Sequence, residues 1–158
     1  MALSLETVWS LPSRRRGLAA DRRGVASLEF VLIAPVLFFI LLGIVYVSIL
    51  FNNYLELGYG VGAAGRAFAA SRGSSMPYSG TTSIFYAAVP GLTRSGITLT
   101  LSVAGTACAA DATCQTALAN AAGNTASVTA SYKCSLSFMG KNFIPGCTLN
   151  SSLTERVQ

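Results

Sequence analysis

Hydrophobic residues are concentrated in one long run near the start of the chain. From Phe30 to Phe51 the sequence contains no charged residue, and these 22 residues would form a helix of roughly 33 Å at ~1.5 Å per residue. This length matches the hydrocarbon core of a bilayer, whereas the apolar region of a signal peptide is shorter, at roughly 7–15 residues. The pattern therefore predicts a membrane-spanning helix over residues 25–51, in which Pro35 would kink the helix or remove one hydrogen bond.

Small residues at helical spacing follow the apolar run and predict that the helix continues over residues 52–72. Within it, GVGAAG matches the glycine pattern of dinucleotide sites, but such a site needs a preceding strand and a βαβ unit, so we reject it. Gly58 and Gly62 have the spacing that lets two helices approach closely, and we predict a helix-packing surface there. The alternative is a frayed helix end, since interior glycines weaken helices. Serine, glycine and proline in residues 71–80 predict the end of the helix.

Alternating apolar and polar positions characterise the rest of the chain. Period-two patterns over residues 97–103, 126–138 and 147–155 predict three half-buried strands. An alanine-rich stretch predicts a short helix around residues 112–121, and residues 84–89 predict another short helix or a turn. The predicted fold class is therefore α+β, with a long N-terminal helix followed by a small antiparallel β-sheet domain.

The composition and the distribution of charge support a membrane anchor. Apolar residues make up 52% of the chain and charged residues only 11%, against about 25% in ordinary soluble domains. Residues 1–24 hold five arginines against two acids, and positive segments flanking a span stay in the cytoplasm. We therefore expect residues 1–24 inside and residues 73–158 to form the extracytoplasmic domain. We expect no nucleic-acid partner, because such a surface would interleave basic and aromatic residues.

All four cysteines lie in the expected extracytoplasmic domain, at Cys108, Cys114, Cys134 and Cys147. An even number of cysteines in a small exported region predicts two disulfides. Three pairings are possible, and short loops favour Cys108–Cys114 and Cys134–Cys147. We expect no metal site and no cofactor, because the chain has no C-x-x-C motif and no histidine.

Catalytic residues would have to come from a short list. Without histidine the commonest general base is missing, and the remaining candidates are Asp111, Lys133 and the serines. None of them lies in a nucleophile elbow, an S-x-x-K motif or a similar signature. We therefore predict that the protein is not an enzyme and that Ser102, Ser127 and Ser131 form polar faces of strands.

The stretch RRGVASLEF, residues 22–30, resembles a type IV prepilin processing site. Residues 22–72 as a whole resemble the TadE-like pseudopilins of tight-adherence (Flp) pilus systems. The resemblance implies that prepilin peptidase removes a leader of residues 1–24 by cutting after Gly24. Val25 then becomes the N-terminus, Glu29 the fifth residue and Phe30 the sixth.

The resemblance also implies a function, partners and a location. It implies a minor pilin that takes part in assembly of an adhesive pilus, with prepilin peptidase, other pilins and the inner-membrane assembly platform as partners. Glu29 would pair with the N-terminal amine of a neighbouring subunit. The protein would cross the bacterial inner membrane once, with its C-terminal domain in the periplasm or in the pilus. The exterior domain and Phe30, where the flagellin-like pilins have tyrosine, favour a minor subunit. The alternative is an uncleaved, membrane-anchored binding module.

Overall fold

The computed structural model of the protein describes residues 23–135, 137–138, 140–142 and 144–158. Residues 1–22, almost the whole of the expected leader, lie outside the described residues. Packing divides the chain into two units, Met1–Leu42 and Gly43–Gln158. The first helix contains residues of both units, and the sheet, the other helices and the disulfides all belong to the second unit.

The described elements form an α+β arrangement, which confirms the predicted class. The helices are α1 (Arg23–Ala69), α2 (Pro77–Ala88) and α3 (Asp111–Ala119), and a 3-10 turn covers Arg94–Gly96. The strands are β1 (Ile97–Val103), β2 (Thr106–Cys108), β3 (Thr125–Lys133), β4 (Ser137–Phe138), β5 (Lys141–Asn142) and β6 (Thr148–Arg156). The main sheet has the order β2-β1-β3-β6 with every neighbouring pair antiparallel, and β4 and β5 form a separate two-stranded pair.

The register of the main sheet separates an apolar face from a hydroxyl-rich face. Val128 in β3 lies opposite Leu101 in β1 and Leu153 in β6, so the three strands present apolar side chains on one side. The next residue, Thr129, lies opposite Thr100 and Ser152 on the other side. Because a slip of one residue would exchange the two faces, burial of the apolar face fixes this register.

The C-terminal part of α1 belongs to the same hydrophobic core as the sheet. Leu57, Val61, Ala64 and Phe68 follow each other at intervals of three and four residues, and all are at most 1% exposed. Burying each large apolar side chain contributes roughly 1.5–3 kcal/mol. This periodicity is that of an amphipathic helix, so the helical pattern beyond residue 51 reflects packing inside the second unit.

Two boundaries differ from those expected. The long strand expected over residues 126–138 ends at Lys133, because Cys134 is joined to Cys147 and the chain turns into the β4–β5 pair. The segment 71–80 is only partly a loop, since α2 begins at Pro77. Proline favours the first position of a helix, where its missing N–H costs nothing, so it acts here as a start signal.

Strand β2 has no counterpart among the predicted elements. It follows β1 through the two-residue turn Ala104–Gly105, in which both residues have positive φ, 49° and 81°. Such mirror-image turns suit tight hairpins but usually contain Asn-Gly or Gly-Gly. Alanine gives no sequence signal for this conformation, which explains why the hairpin was not predicted.

Both disulfides join the pairs that short loops favour. Cys108 is bonded to Cys114 and ties the end of β2 to α3. Cys134 is bonded to Cys147 and joins the residue after β3 to the residue before β6. The backbone N–H of Cys134 also donates to the Cys147 carbonyl at 3.2 Å. These links close the loops in which the regular sheet pairing is interrupted.

Candidate functional site

The expected processing point lies at the start of the described part of the first helix. The described residues of α1 start at Arg23, so Gly24 and Val25 are the second and third of them. The backbone on both sides of the expected cleavage point is therefore helical.

Glu29 and Phe30 are exposed on α1 at the start of the apolar run. Phe30 is 69% exposed, and the residues that follow it are apolar on every side of the helix. A carboxylate at such a position is costly unless a cation is close. Going along the chain from Glu29 towards the C-terminus, the first base is Arg66, so the helix itself supplies no nearby cation on that side.

Removal of the leader would replace one set of cations by another. Cleavage after Gly24 would remove Arg22 and Arg23 and create an α-amino group on Val25. Val25 and Glu29 are four residues apart in the sequence, which is about one turn of helix. The positive end of the helix dipole also favours a carboxylate near the first turns. The new amine would therefore be the cation expected to pair with Glu29 of a neighbouring subunit.

The apolar part of α1 has no polar face. Most of its large side chains are about half exposed or more, with Phe39 at 71% and Leu41 at 53%. A helix that is hydrophobic all round and exposed in a single chain needs lipid or other helices around it. By length and composition this helix could span a membrane. Ser48 satisfies its hydroxyl within the helix by donating to the Ile44 carbonyl at 2.8 Å, as suits an apolar surrounding.

Four glycines of α1 divide into two pairs with different surroundings. A Cβ placed on Gly65 would lie 2.7 Å from Leu153 Cδ2, and one placed on Gly60 would clash with Val89. These two glycines therefore allow β6 and the segment after α2 to approach the helix closely. A Cβ on Gly58 or Gly62 would meet no atom of the described residues within 4 Å. The predicted packing role of Gly58 and Gly62 is thus not used inside the chain and stays a prediction for a second helix.

Asp111 and two of the strand serines have structural partners. Asp111 Oδ1 accepts hydrogen bonds from the backbone N–H groups of Tyr78 at 2.8 Å and Ser79 at 2.9 Å. The bond from Ser79 is the main cause that lowers the pKa of the Asp111 carboxyl below its usual value. The hydroxyls of Ser102 and Ser127 are bonded to each other at 2.6 Å across the sheet. The structure therefore gives these groups local roles in capping and in strand pairing.

Metal-binding side chains do not gather in the part of the chain that the structure describes. No group of three His, Cys, Asp or Glu residues there could hold an ion. All four cysteines form disulfides.

Sequence reasoning missed the capping role of Asp111, because Asp111 is more than thirty positions from the residues it binds, Tyr78 and Ser79, and no local pattern links them.

Comparison with known protein families gives a match that lies within the first helix. Residues 24–66 match the model of the family described as TadE-like protein. No curated protein and no solved structure matches the chain. The matched segment starts at the expected last residue of the leader and ends within the packed part of α1. The resemblance read from RRGVASLEF and the helix that follows is therefore confirmed.

Proposed function

We propose that this chain, TadE-like over residues 24–66, is a minor pilin that is processed after Gly24 and takes part in assembling a tight-adherence pilus. The family match connects the chain with tight-adherence pilus systems, in which TadE-like proteins have a structural role. The observation that carries the finer proposal is the combination of Gly24 and Glu29 with an all-round apolar helix. In this combination one cleavage both frees the helix from its basic leader and creates the amine that Glu29 needs.

The proposed assembly step exchanges lipid contacts for contacts between helices. A processed helix that is apolar on all sides loses little when it leaves the bilayer for a bundle of similar helices, since both surroundings are apolar. Glu29 is the exception, because its carboxylate would be buried in the bundle. The amine of Val25 in a neighbouring subunit would compensate this charge and so fix the axial register between subunits.

The basic leader and the disulfides support the proposed orientation. Arg14, Arg15 and Arg16, together with Arg22 and Arg23, precede the apolar helix and favour a cytoplasmic N-terminus. Both disulfides lie in the unit after residue 43, and disulfides form in oxidising compartments such as the periplasm. In this proposal the partners are prepilin peptidase, other pilins and the inner-membrane assembly platform, as the TadE-like resemblance implies.

The role of Glu29 can be tested by charge removal. We expect Glu29→Gln to reduce the amount of the protein in sheared surface pili at least tenfold, because the amide has no charge to pair with the Val25 amine. Glu29→Asp keeps the charge on a shorter side chain and should retain part of the activity. The amount in sheared pili is measured by immunoblot, normalised to the amount in the membrane.

Two controls separate assembly from insertion and folding. Both variants should reach the membrane at the wild-type level and should contain both disulfides, since Glu29 lies outside the unit that holds them. Wild-type incorporation of Glu29→Gln would show that the carboxylate does not set the register. If the wild-type protein stays in the membrane and never enters pili, the protein is instead an anchored binding module. The folded, disulfide-linked unit after residue 43 is the observation that favours this second candidate.

A further inference from the structure

The outer side of α2 contains a shallow cavity of about 400 Å³. Its lining combines two tyrosines, three serine or threonine side chains and one arginine, and contains no acidic side chain: Tyr78, Ser79, Thr82, Ser83, Tyr86 and Arg94. This volume lies within the range of small-molecule sites. The same combination of residue types recognises sugars, since aromatic rings contact the C–H face of a sugar and hydroxyls bond to its polar edge.

The guanidinium of Arg94 lies over an aromatic ring, and this contact does not use its N–H groups. Its guanidinium carbon lies 5.0 Å from the centre of the Tyr86 ring, and the residue is exposed. Tyr86 is itself fixed by an edge-to-face contact with Phe85, which is fully buried. A stacked guanidinium keeps its planar fork of N–H donors free for a carboxylate. The cavity therefore presents an oriented cation to a ligand.

The N-terminus of α2 beside the cavity is already occupied by an anion of the chain itself. The backbone N–H groups of Tyr78 and Ser79 both donate to the Asp111 carboxylate. A phosphate group would normally use such free amides at a helix start. With the amides engaged, Arg94 is the remaining cationic partner in the lining, and one guanidinium matches one carboxylate bidentately.

We propose that this cavity binds a carboxylate-bearing sugar unit of an acidic polysaccharide. Arg94 binds the carboxylate, the Tyr86 and Tyr78 rings contact the sugar ring, and the Ser83 hydroxyl bonds to a sugar hydroxyl. The Ser79 hydroxyl is engaged with the Asp111 carboxylate. The Thr82 hydroxyl already donates to the Tyr78 carbonyl at 2.8 Å, so it acts on the ligand as an acceptor. An acidic peptide fits less well, because the lining offers neither an apolar pocket nor a strand edge.

This proposal adds a ligand class to the proposed adhesive function without resting on cleavage or assembly. A single sugar held by one arginine in an open cavity binds weakly. Several copies exposed on one cell surface would raise the overall strength of attachment through multivalency. Binding of the sugar and incorporation into pili are separate properties and are measured separately.

The test uses the full chain in lipid nanodiscs, with oligogalacturonate as the probe and a neutral oligogalactan of the same length as the control ligand. We expect saturable binding of the acidic oligomer only. Arg94→Gln should weaken binding about tenfold or more, as loss of hydrogen bonds to a charged group does. The affinity of Arg94→Lys should lie between those of the wild type and Arg94→Gln, because lysine keeps the charge and loses the bidentate geometry.

Two further variants make the result specific to the cavity. Arg72→Gln removes an exposed arginine outside the lining and should leave binding unchanged. Ser83→Leu reduces the space of the cavity without touching the cation and should weaken binding, with an unchanged melting temperature as the control for folding. Equal binding of the neutral oligomer, equal losses in Arg72→Gln and Arg94→Gln, or equally tight binding of oligoglutamate would each overturn the proposal. Glu29→Gln should bind the acidic oligomer normally, so that failure of pilus assembly and failure of sugar binding are distinguished.

Discussion

At the scale of single residues, the acidic side chains of this protein have different tasks. Asp111 joins the start of α2 to the start of α3 by accepting two backbone N–H groups from a distant segment. Glu56 on α1 accepts the N–H of Gly91 at 2.5 Å and so holds the loop after α2. Glu29 lies exposed at the start of the apolar run, where a partner from outside its own helix would be most valuable. The first two acids stabilise the fold, and we propose that the third acts in assembly.

The role of Asp111 predicts a defined pH dependence. Hydrogen bonds in the folded protein lower the pKa of the Asp111 carboxyl below its value in the unfolded chain. The stabilising contribution of Asp111 is therefore complete above the usual carboxyl pKa of about 3.9. That contribution is lost as the pH falls through the lowered pKa. We expect Asp111→Asn to lower the melting temperature by a few degrees at pH 7.

The difference between the wild type and Asp111→Asn should shrink as the pH is lowered below about 4, because both proteins then carry a neutral group at this position. Asp111→Ala should be less stable than Asp111→Asn, since alanine leaves the amides of Tyr78 and Ser79 without an acceptor. Thermal unfolding monitored by circular dichroism between pH 2.5 and pH 7 measures both effects. A difference between wild type and Asp111→Asn that stays constant over this range would contradict the assigned role.

At the scale of elements, hydrophobic periodicity predicted most of what the structure contains. The long apolar run lies within α1, and the period-two patterns lie within β1, β3 and β6. Each strand has one apolar face, and the apolar part of α1 is long and hydrophobic enough to span a membrane. The sequence did not predict β2, whose hairpin depends on alanine at positive φ, or the early end of β3 at the disulfide. Nor could it show which glycines are packed, because that depends on the distance between elements that are far apart in the chain.

The glycines of α1 give a matched pair of substitutions. Alanine at position 62 should raise the free energy of unfolding by up to ~1 kcal/mol, because glycine weakens a helix and the added methyl meets no atom within 4 Å. The free energy of unfolding of Gly65→Ala should be about 1–3 kcal/mol lower than that of Gly62→Ala, because the added methyl would lie 2.7 Å from Leu153 Cδ2.

The same pair tests the predicted packing surface. If Gly58 and Gly62 allow close approach of a second helix, Gly62→Ala should reduce incorporation into pili although it stabilises the isolated protein. Denaturant unfolding gives the stabilities, and immunoblots of sheared pili give the incorporation. Normal incorporation of Gly62→Ala would show that no helix packs closely at this position.

At the scale of the whole molecule, the protein joins an apolar helix with a disulfide-linked α+β unit. The helix carries the residues expected for processing and assembly, and the second unit carries the cavity that we assign to an acidic sugar. The TadE-like match covers residues 24–66, whereas the cavity and the disulfides lie further along the chain. In this account the helix inserts the protein into a pilus, and the second unit determines what that subunit recognises.

The central claim, that the helix is released from its leader by cleavage after Gly24, is tested most directly by the intact mass and N-terminal sequence of the protein extracted from membranes. The measurement compares cells with and without prepilin peptidase. The account predicts a chain that starts at Val25 when the peptidase is present and a chain that retains its leader when the peptidase is absent. A leader retained in both cells would contradict it, because Glu29 would then lack its amine and the chain would be an uncleaved membrane-anchored module.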